Sequence, residues 1–181
     1  MVYILLATGF EEMEALTPCD LLRRAGVEVK LVSVNGETVT GGHSVAVQTD
    51  VKIEDLNADD AEMIVLPGGL LGVENLQNSE KVMDLIRCCY EKGIYIAAIC
   101  AAPTILANLG MTDGRMATCY PTMADEMGEA KLLPEADVVQ DGKVITGTSA
   151  GTSIPFALQL ITALCGREKA NEVADAIVYR T

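Results

Sequence analysis

Short apolar runs alternate with amphipathic helical segments along the whole chain, and this alternation limits the possible folds most strongly. Residues 2–7 and 63–66 are apolar without interruption, which is typical of strands buried on both faces of a sheet. Between them, residues 11–25 repeat apolar side chains at helical spacing and end at Gly26, a residue that favours helix termination. Strands that alternate with helices predict an α/β protein of flavodoxin-like type, with a mostly parallel sheet and helices on both faces.

The remaining segments extend this pattern. Ser79 is expected to cap a helix that ends near Lys92, whereas residues 67–72 are expected to form a loop. Further strands are predicted at residues 27–34 and 96–99, hairpins at 35–53 and 138–146, and helices at 102–109, 154–164 and near 168–176. A chain of 181 residues is long enough for one complete core, so a single domain over residues 1–181 is expected.

Composition argues against several classes of protein. No apolar run approaches the roughly 20 residues of a membrane span. Because residues 2–7 have the pattern of a first strand rather than of a signal peptide, a cytoplasmic location is expected. A formal net charge of −13 disfavours direct nucleic-acid binding. His43 is the single histidine and the six cysteines show no CxxC spacing, so we expect no metal site and no bound cofactor.

A cysteine stands where a predicted strand meets a predicted helix. The apolar run of residues 96–99 stops at Cys100, and small residues with Pro103 follow. This position is the carboxyl end of a parallel strand, which faces the ligand-binding crevice of an open α/β sheet. A helix start is also expected to favour the thiolate over the thiol. Cys100 is therefore a candidate nucleophile or redox centre, although a free cysteine is often only a small buried apolar residue.

Two further loops should converge on Cys100. The first carries Glu11, Glu12 and Glu14, and their spacing alone does not choose among them. Acidic residues in a first helical turn are commonly solvated, but a protonated carboxyl beside a thiolate can donate a hydrogen bond to it. The second loop carries Gly68 and Gly69, whose backbone N–H groups could stabilise an oxyanion or simply form a glycine turn.

Taken together, residues 9–14, 65–69, 97–103 and 151–153 resemble the ThiJ/PfpI superfamily, in the branch of the Parkinsonism-associated deglycase. The resemblance implies a flavodoxin-like domain related to class I glutamine amidotransferases, and a homodimer. It places the reactive cysteine of a strained turn at Cys100 and the hydrogen-bonded glutamic acid at Glu14. The backbone donors that it implies are Gly69 and Ala101.

The chain departs from this family pattern at several positions. PfpI-type peptidases carry a histidine directly after the cysteine, where this chain has Ala101, so peptidase activity is not expected. Tyr120 stands where many deglycase-like relatives have a histidine near the site. His43 and Thr148 replace basic residues of many relatives, which predicts a less cationic pocket with these two side chains as possible contacts.

Two functions are expected from these residues and this resemblance. In the first, Cys100 and Glu14 act on a small α-oxoaldehyde or its early glycated adduct, without glutathione, metal or cofactor. Gly68, Gly69, Ala101 and Tyr120 would then bind the substrate or its oxyanion. In the second, the protein is a non-catalytic redox sensor or chaperone in which Cys100 becomes a sulfinic acid. The historical name of the family also refers to the thiamine pathway, but this chain has no phosphate-binding motif that would support such a role.

Overall fold

A mostly parallel sheet forms the centre of the computed structural model, which describes residues 1–180. The strands are β1 (Val2–Leu6), β2 (Val29–Ser33), β3 (Thr38–Thr40), β4 (Ala46–Gln48), β5 (Val51–Lys52), β6 (Met63–Leu66), β7 (Tyr95–Ile99), β8 (Met116–Ala117), β9 (Lys131–Leu132), β10 (Val138–Asp141) and β11 (Val144–Gly147). The large sheet has the order β10-β11-β7-β6-β1-β2-β5. Its neighbouring strands are parallel except β10 and β11, which form the predicted hairpin.

Helices cover both faces of this sheet, as the sequence predicts. They are α1 (Glu12–Arg24), α2 (Leu70–Gln77), α3 (Glu80–Glu91), α4 (Pro103–Asn108), α5 (Ser153–Cys165) and α6 (Arg167–Ala176). Side chains of α1, α5 and α6 join one apolar core, and those of α2, α3 and α4 join the other. Within residues 1–180, no helix is long and apolar enough to cross a bilayer. The flavodoxin-like fold is therefore confirmed.

Strand β1 shows why the apolar runs are uninterrupted. Val2, Ile4 and Leu6 belong to the core on one face of the sheet, whereas Tyr3 and Leu5 belong to the core on the other. Successive side chains of a strand point to opposite faces, so a strand covered by helices on both sides must be apolar at every position. The five residues of β1 are each 3% exposed or less.

The structure also differs from the sequence prediction. Residues 67–72 were expected to form a loop, but α2 begins at Leu70. Val73 and Leu76 of this helix are buried against the sheet, whereas its exposed first residues do not show a helical pattern in the sequence. The expected hairpin at residues 35–53 consists of β3 and β4, whereas β5 leaves it and pairs with β2 in the large sheet. Strands β8 and β9, which pair in parallel, were not predicted.

Candidate active site

Loops that follow four neighbouring parallel strands meet at one edge of the large sheet. Glu14 lies beyond β1, Gly69 beyond β6, Cys100 beyond β7 and Ser149 beyond β11. These residues line a cavity of about 450 Å³, in the crevice where parallel sheets bind ligands. The other lining residues are Glu11, Leu70, Ala101, Tyr120, Thr122, Ala150 and Gly151. The three predicted loops do converge here, with two further segments.

Cys100 lies on a strained turn that main-chain hydrogen bonds fix on both sides. Its φ of 66° falls in the left-handed region, which is unfavourable for a residue other than glycine. Its N–H donates to the carbonyl of Gly147 at 3.0 Å, and its own carbonyl accepts from the N–H of Tyr120 at 2.8 Å. Helix α4 begins only at Pro103 and is six residues long, so the expected helix-dipole effect on Cys100 has little structural basis.

Glu14 is the acidic residue that faces Cys100. Its side chain is fully buried, and its Oε2 accepts a hydrogen bond from the N–H of Gly68 at 2.8 Å. Within the described residues, its Oε1 has no nitrogen or oxygen partner. A Cβ at Gly68 would lie 2.5 Å from Glu14 Oε2 and 2.7 Å from Cys100 Cβ, so this approach requires glycine. The N–H of Gly68 thus donates to Glu14, whereas the sequence prediction was that it would bind the substrate.

Burial and mutual repulsion control the ionisation of this pair. Burial raises the pKa of Glu14 to about 7, although interactions with the Cys100 thiol and the Gly68 N–H oppose the increase. Burial also raises the pKa of Cys100 to about 12, and the negative charge of Glu14 adds to this increase. The backbone N–H groups of Ala101 and Gly69 act in the opposite direction. The helix start was expected to favour the thiolate, but burial raises the pKa of the Cys100 thiol instead.

The two groups therefore share one proton over a wide range of pH above about 7. Hydrogen-bond donors decide which group carries the single negative charge. The sulfur of Cys100 has two backbone N–H groups beside it, whereas Glu14 has one, and its Oε1 has none. A protonated Oε1 that donates to the sulfur would satisfy this oxygen, so the distribution of donors favours a Cys100 thiolate beside a neutral Glu14.

Glu12, two residues before Glu14, has a different environment. Its Oε1 accepts from the backbone N–H of His43 at 2.7 Å, and its Oε2 lies 2.9 Å from His43 Nδ1. Burial opposes the ionisation of Glu12, but these hydrogen bonds outweigh it and hold its pKa below the ordinary value. The same contact with Glu12 raises the pKa of His43. Glu12 thus fixes the loop before β4 rather than serving the cavity.

Two predicted contacts lie outside the cavity. The side chain of His43 is 73% exposed and does not line it, and the Thr148 hydroxyl donates to the carbonyl of Ala136 at 2.6 Å. His43 instead joins Glu11 and Glu12 in a group whose potential metal-ligating atoms lie within 4.8 Å of one another. This group could not be predicted from the sequence, because 31 residues separate Glu12 from His43. Hydrogen bonds within the group account for its arrangement.

Part of the cavity wall was not predicted from the sequence. Thr122, Ser149 and Ala150 line it without having been assigned to it. Ser149 and Thr152 form reciprocal side-chain and backbone hydrogen bonds that begin the turn before α5. A serine followed three residues later by threonine was the available signal for this turn, but it does not indicate which side chains face a ligand.

Known proteins share this arrangement of elements. The sequence profile described as the DJ-1/PfpI family matches residues 1–163. The chain belongs to the DJ-1/PfpI family. Its fold is similar to the crystal structure of DJ-1beta from Drosophila melanogaster, with a TM-score of 0.94, 38% identity, and coverage of 99% of this chain and 98% of that chain. It is also similar to oxidized DJ-1 from Toxoplasma gondii, with a TM-score of 0.93, 32% identity and the same coverage.

One relative within the family carries the name of an activity. A protein named deglycase from Pyrococcus abyssi is 34% identical over 164 residues, which are 90% of this chain and 98% of that protein. The resemblance drawn from four short motifs is therefore confirmed at the level of the family.

Proposed function

We propose that this protein is a cysteine-dependent enzyme that converts small α-oxoaldehydes, or their early adducts, into 2-hydroxy acids. The pairing of a strained Cys100 with the fully buried Glu14 in a cavity of about 450 Å³ is the observation that carries the proposal. Such a pair supplies a nucleophile and a proton-transfer group in one place. The name of the archaeal relative supports the same class of reaction.

The proposed reaction begins with addition of sulfur to the aldehyde. A carbon–sulfur bond forms while the carbonyl π bond breaks, and the oxygen takes the proton that Glu14 held, giving a hemithioacetal. As the sulfur gives up its negative charge, the N–H groups of Gly69 and Ala101 beside it become available to stabilise the developing oxyanion. Glu14 then moves a proton from the aldehyde carbon to the adjacent carbonyl carbon through an enediol, which yields a thioester. Water cleaves this thioester, releasing the 2-hydroxy acid and restoring the thiol.

The ionisation of the pair suits this reaction. A group that must both donate and accept protons works best when its pKa lies near the working pH. The pKa of Glu14, raised to about 7 by burial, meets this requirement. The reaction consumes only water besides the aldehyde, so glutathione has no role in it.

Lactate formation from methylglyoxal tests the proposal. Protein treated with a chelator should produce lactate, and Cys100→Ser should abolish the reaction without changing the fold. A sample that shows no turnover of glyoxal or methylglyoxal would contradict the enzymatic proposal. Casein cleavage provides a control for peptidase activity, which is not expected because Ala101 follows the cysteine and His43 lies outside the cavity.

The alternative function is that of a redox sensor. A Cys100 thiolate can reduce one molecule of peroxide to give a sulfenic acid and hydroxide, and a second peroxide gives the sulfinic acid and water. The neutral Glu14 could then donate a hydrogen bond to a sulfinate oxygen. The oxidized state named for the Toxoplasma relative favours keeping this alternative. Peroxide treatment that yields a stable sulfinic acid in a protein without turnover would establish it.

We also propose that the chain forms the homodimer implied by the resemblance. An apolar groove of about 480 Å³ lies between α1 and α5, and Met13 within it is 55% exposed. Ala150 and Gly151 line both this groove and the cavity of Cys100, so a second copy bound here would adjoin the candidate active site. Light scattering should give a dimer mass, and Met13→Asp should convert the protein to monomers.

A further inference from the structure

The charge of the Cys100 cavity restricts which molecules can enter it. Two carboxyl groups, those of Glu11 and Glu14, line the cavity. Within the part of the chain that the structure describes, no lysine, arginine or histidine side chain lines it. A cavity with one sign of charge and apolar walls concentrates ions of the opposite sign and excludes ions of the same sign. This property does not depend on what chemistry Cys100 performs.

Glu11 is fixed where its charge acts on an entering molecule. Its N–H donates to the carbonyl of Gly68 at 2.9 Å, and its carbonyl accepts from the N–H of Ala15 at 3.2 Å, so its backbone joins the β6 loop to α1. Its side chain is 18% exposed, which places its carboxyl at the boundary between solvent and the cavity. The charge of Glu11 also contributes to the raised pKa of Glu14, which is consistent with their proximity.

His43 is the nearest potential cation, but it is held mainly by another residue. Its Nδ1 lies 3.4 Å from Glu11 Oε2 and 2.9 Å from Glu12 Oε2, and its backbone N–H also binds Glu12. A protonated His43 therefore neutralises Glu12 first. The charge of Glu11 and the single charge of the Glu14 and Cys100 pair remain facing the cavity.

We propose that Glu11 is a specificity-determining residue that makes the cavity admit neutral and cationic carbonyl compounds and reject those bearing a carboxylate or phosphate. As a statement about substrates, this inference rests on the proposed function. It also accounts for product release, because the conversion of a neutral α-oxoaldehyde into a 2-hydroxy acid creates an anion inside an anionic cavity. The substrate enters without an electrostatic penalty, and the product leaves with electrostatic assistance.

Charged thiol reagents test this selectivity without requiring turnover. The labelling rate of Cys100 would be measured by peptide mass spectrometry with 2-(trimethylammonio)ethyl and 2-sulfonatoethyl methanethiosulfonate, which transfer groups of opposite charge. We expect the ratio of the cationic rate to the anionic rate at Cys100 to exceed the ratio at the exposed Cys165 on the order of tenfold, as for a charge a few Å away in partly screened surroundings. Glu11→Gln should reduce this ratio severalfold, whereas Glu91→Gln, which removes an exposed charge from α3 outside the cavity, should leave it unchanged.

Two controls keep the test decisive. The ratio at the exposed Cys165 should be equal in the wild type and in Glu11→Gln. Raising the salt concentration from about 0.02 M to about 0.5 M should reduce the wild-type ratio at Cys100, which tests the inference even if the variant does not fold. Equal ratios at Cys100 and Cys165 in the wild type, or equal ratios at Cys100 in Glu11→Gln and Glu91→Gln, would overturn it. Charge selectivity without lactate formation would instead contradict only the proposed function, and lactate formation without selectivity would contradict only this inference.

Discussion

Glu12 and Glu14 lie two residues apart in the first turn of α1, and both are buried, yet their pKa values shift in opposite directions. Glu12 receives hydrogen bonds from the side chain and backbone of His43, and these bonds hold its pKa low. Glu14 receives one backbone N–H, and burial raises its pKa to about 7. A buried carboxyl with few hydrogen-bond donors, such as Glu14, can gain and lose a proton near neutral pH. A carboxyl whose oxygens are well supplied with donors, such as Glu12, stays ionised and forms a structural ion pair.

The largest expected difference between the two carboxyls is in the catalytic activity of their variants. Cys100→Ser should lower kcat/KM for methylglyoxal by roughly 10³-fold or more, and Glu14→Gln by roughly 10²-fold, because the first loses the nucleophile and the second the proton-transfer group. Glu12→Gln should stay within about threefold of the wild type. Steady-state assays check this order. Equal losses in Glu12→Gln and Glu14→Gln would remove the distinction between the residues.

The stability of the same two variants should differ in the reverse order, with Glu12→Gln affected more than Glu14→Gln. Glu12→Gln removes a charged acceptor from two hydrogen bonds with His43, so its free energy of unfolding should fall by about 1–3 kcal/mol at neutral pH. Glu14→Gln should be less destabilised, because a neutral amide replaces a carboxyl that is itself neutral and accepts only one backbone hydrogen bond. Urea unfolding, followed by the loss of secondary structure, measures the free energy of unfolding of both variants. A more stable Glu12→Gln would contradict the role assigned to its contacts.

The pH dependence of stability should have opposite signs for the two carboxyls. Folding raises the pKa of Glu14 from 4.5 to about 7, so its stabilising contribution is complete below the unfolded value and is lost as the pH rises through about 7. Folding lowers the pKa of Glu12, so its contribution is present above the unfolded value and is lost as the pH falls through the lowered one. Relative to Glu14→Gln, the free energy of unfolding of the wild type should fall on the order of 2–3 kcal/mol as the pH rises from about 4.5 to about 7. A flat difference would contradict the raised pKa.

A small effect is expected at Tyr120. Its backbone N–H donates to the carbonyl of Cys100, and the residue is 42% exposed at the cavity wall. Tyr120→Phe keeps the backbone contact, so kcat/KM should change by about twofold or less. A tenfold loss would show that the Tyr120 hydroxyl acts on the substrate.

The fold could be predicted largely because each layer has a periodic signature. The run at residues 63–66 is the strand β6, and Ser79 caps α3 by accepting from the N–H of Val82 at 3.4 Å. Helix α2 was missed because Leu70 and Leu71 are exposed at its start, which obscures the helical pattern. The two-residue strands β8 and β9 carry too few positions for any period to be detected.

The site could be predicted only in part, because its residues come from distant loops. The junction at Cys100 indicated a reactive cysteine, but spacing alone did not choose Glu14 over Glu11 and Glu12. That choice depends on which side of α1 faces β7, and the resemblance to the family supplied it. The pKa of Cys100 could not be predicted, because it depends on burial and on the interaction with Glu14 rather than on the helix start.

The most direct test of the central claim is to locate the shared proton. The ultraviolet absorbance of the Cys100 thiolate, taken as the difference between the wild type and Cys100→Ser, would be followed against pH. We predict that the thiolate forms when the pair releases its first proton, and that Glu14→Leu shifts its formation to higher pH because the donor to sulfur is lost. If Glu14 were instead the carboxylate beside a neutral thiol, its removal would relieve repulsion, and the midpoint would move to lower pH. An unchanged or lower midpoint in Glu14→Leu would contradict the account.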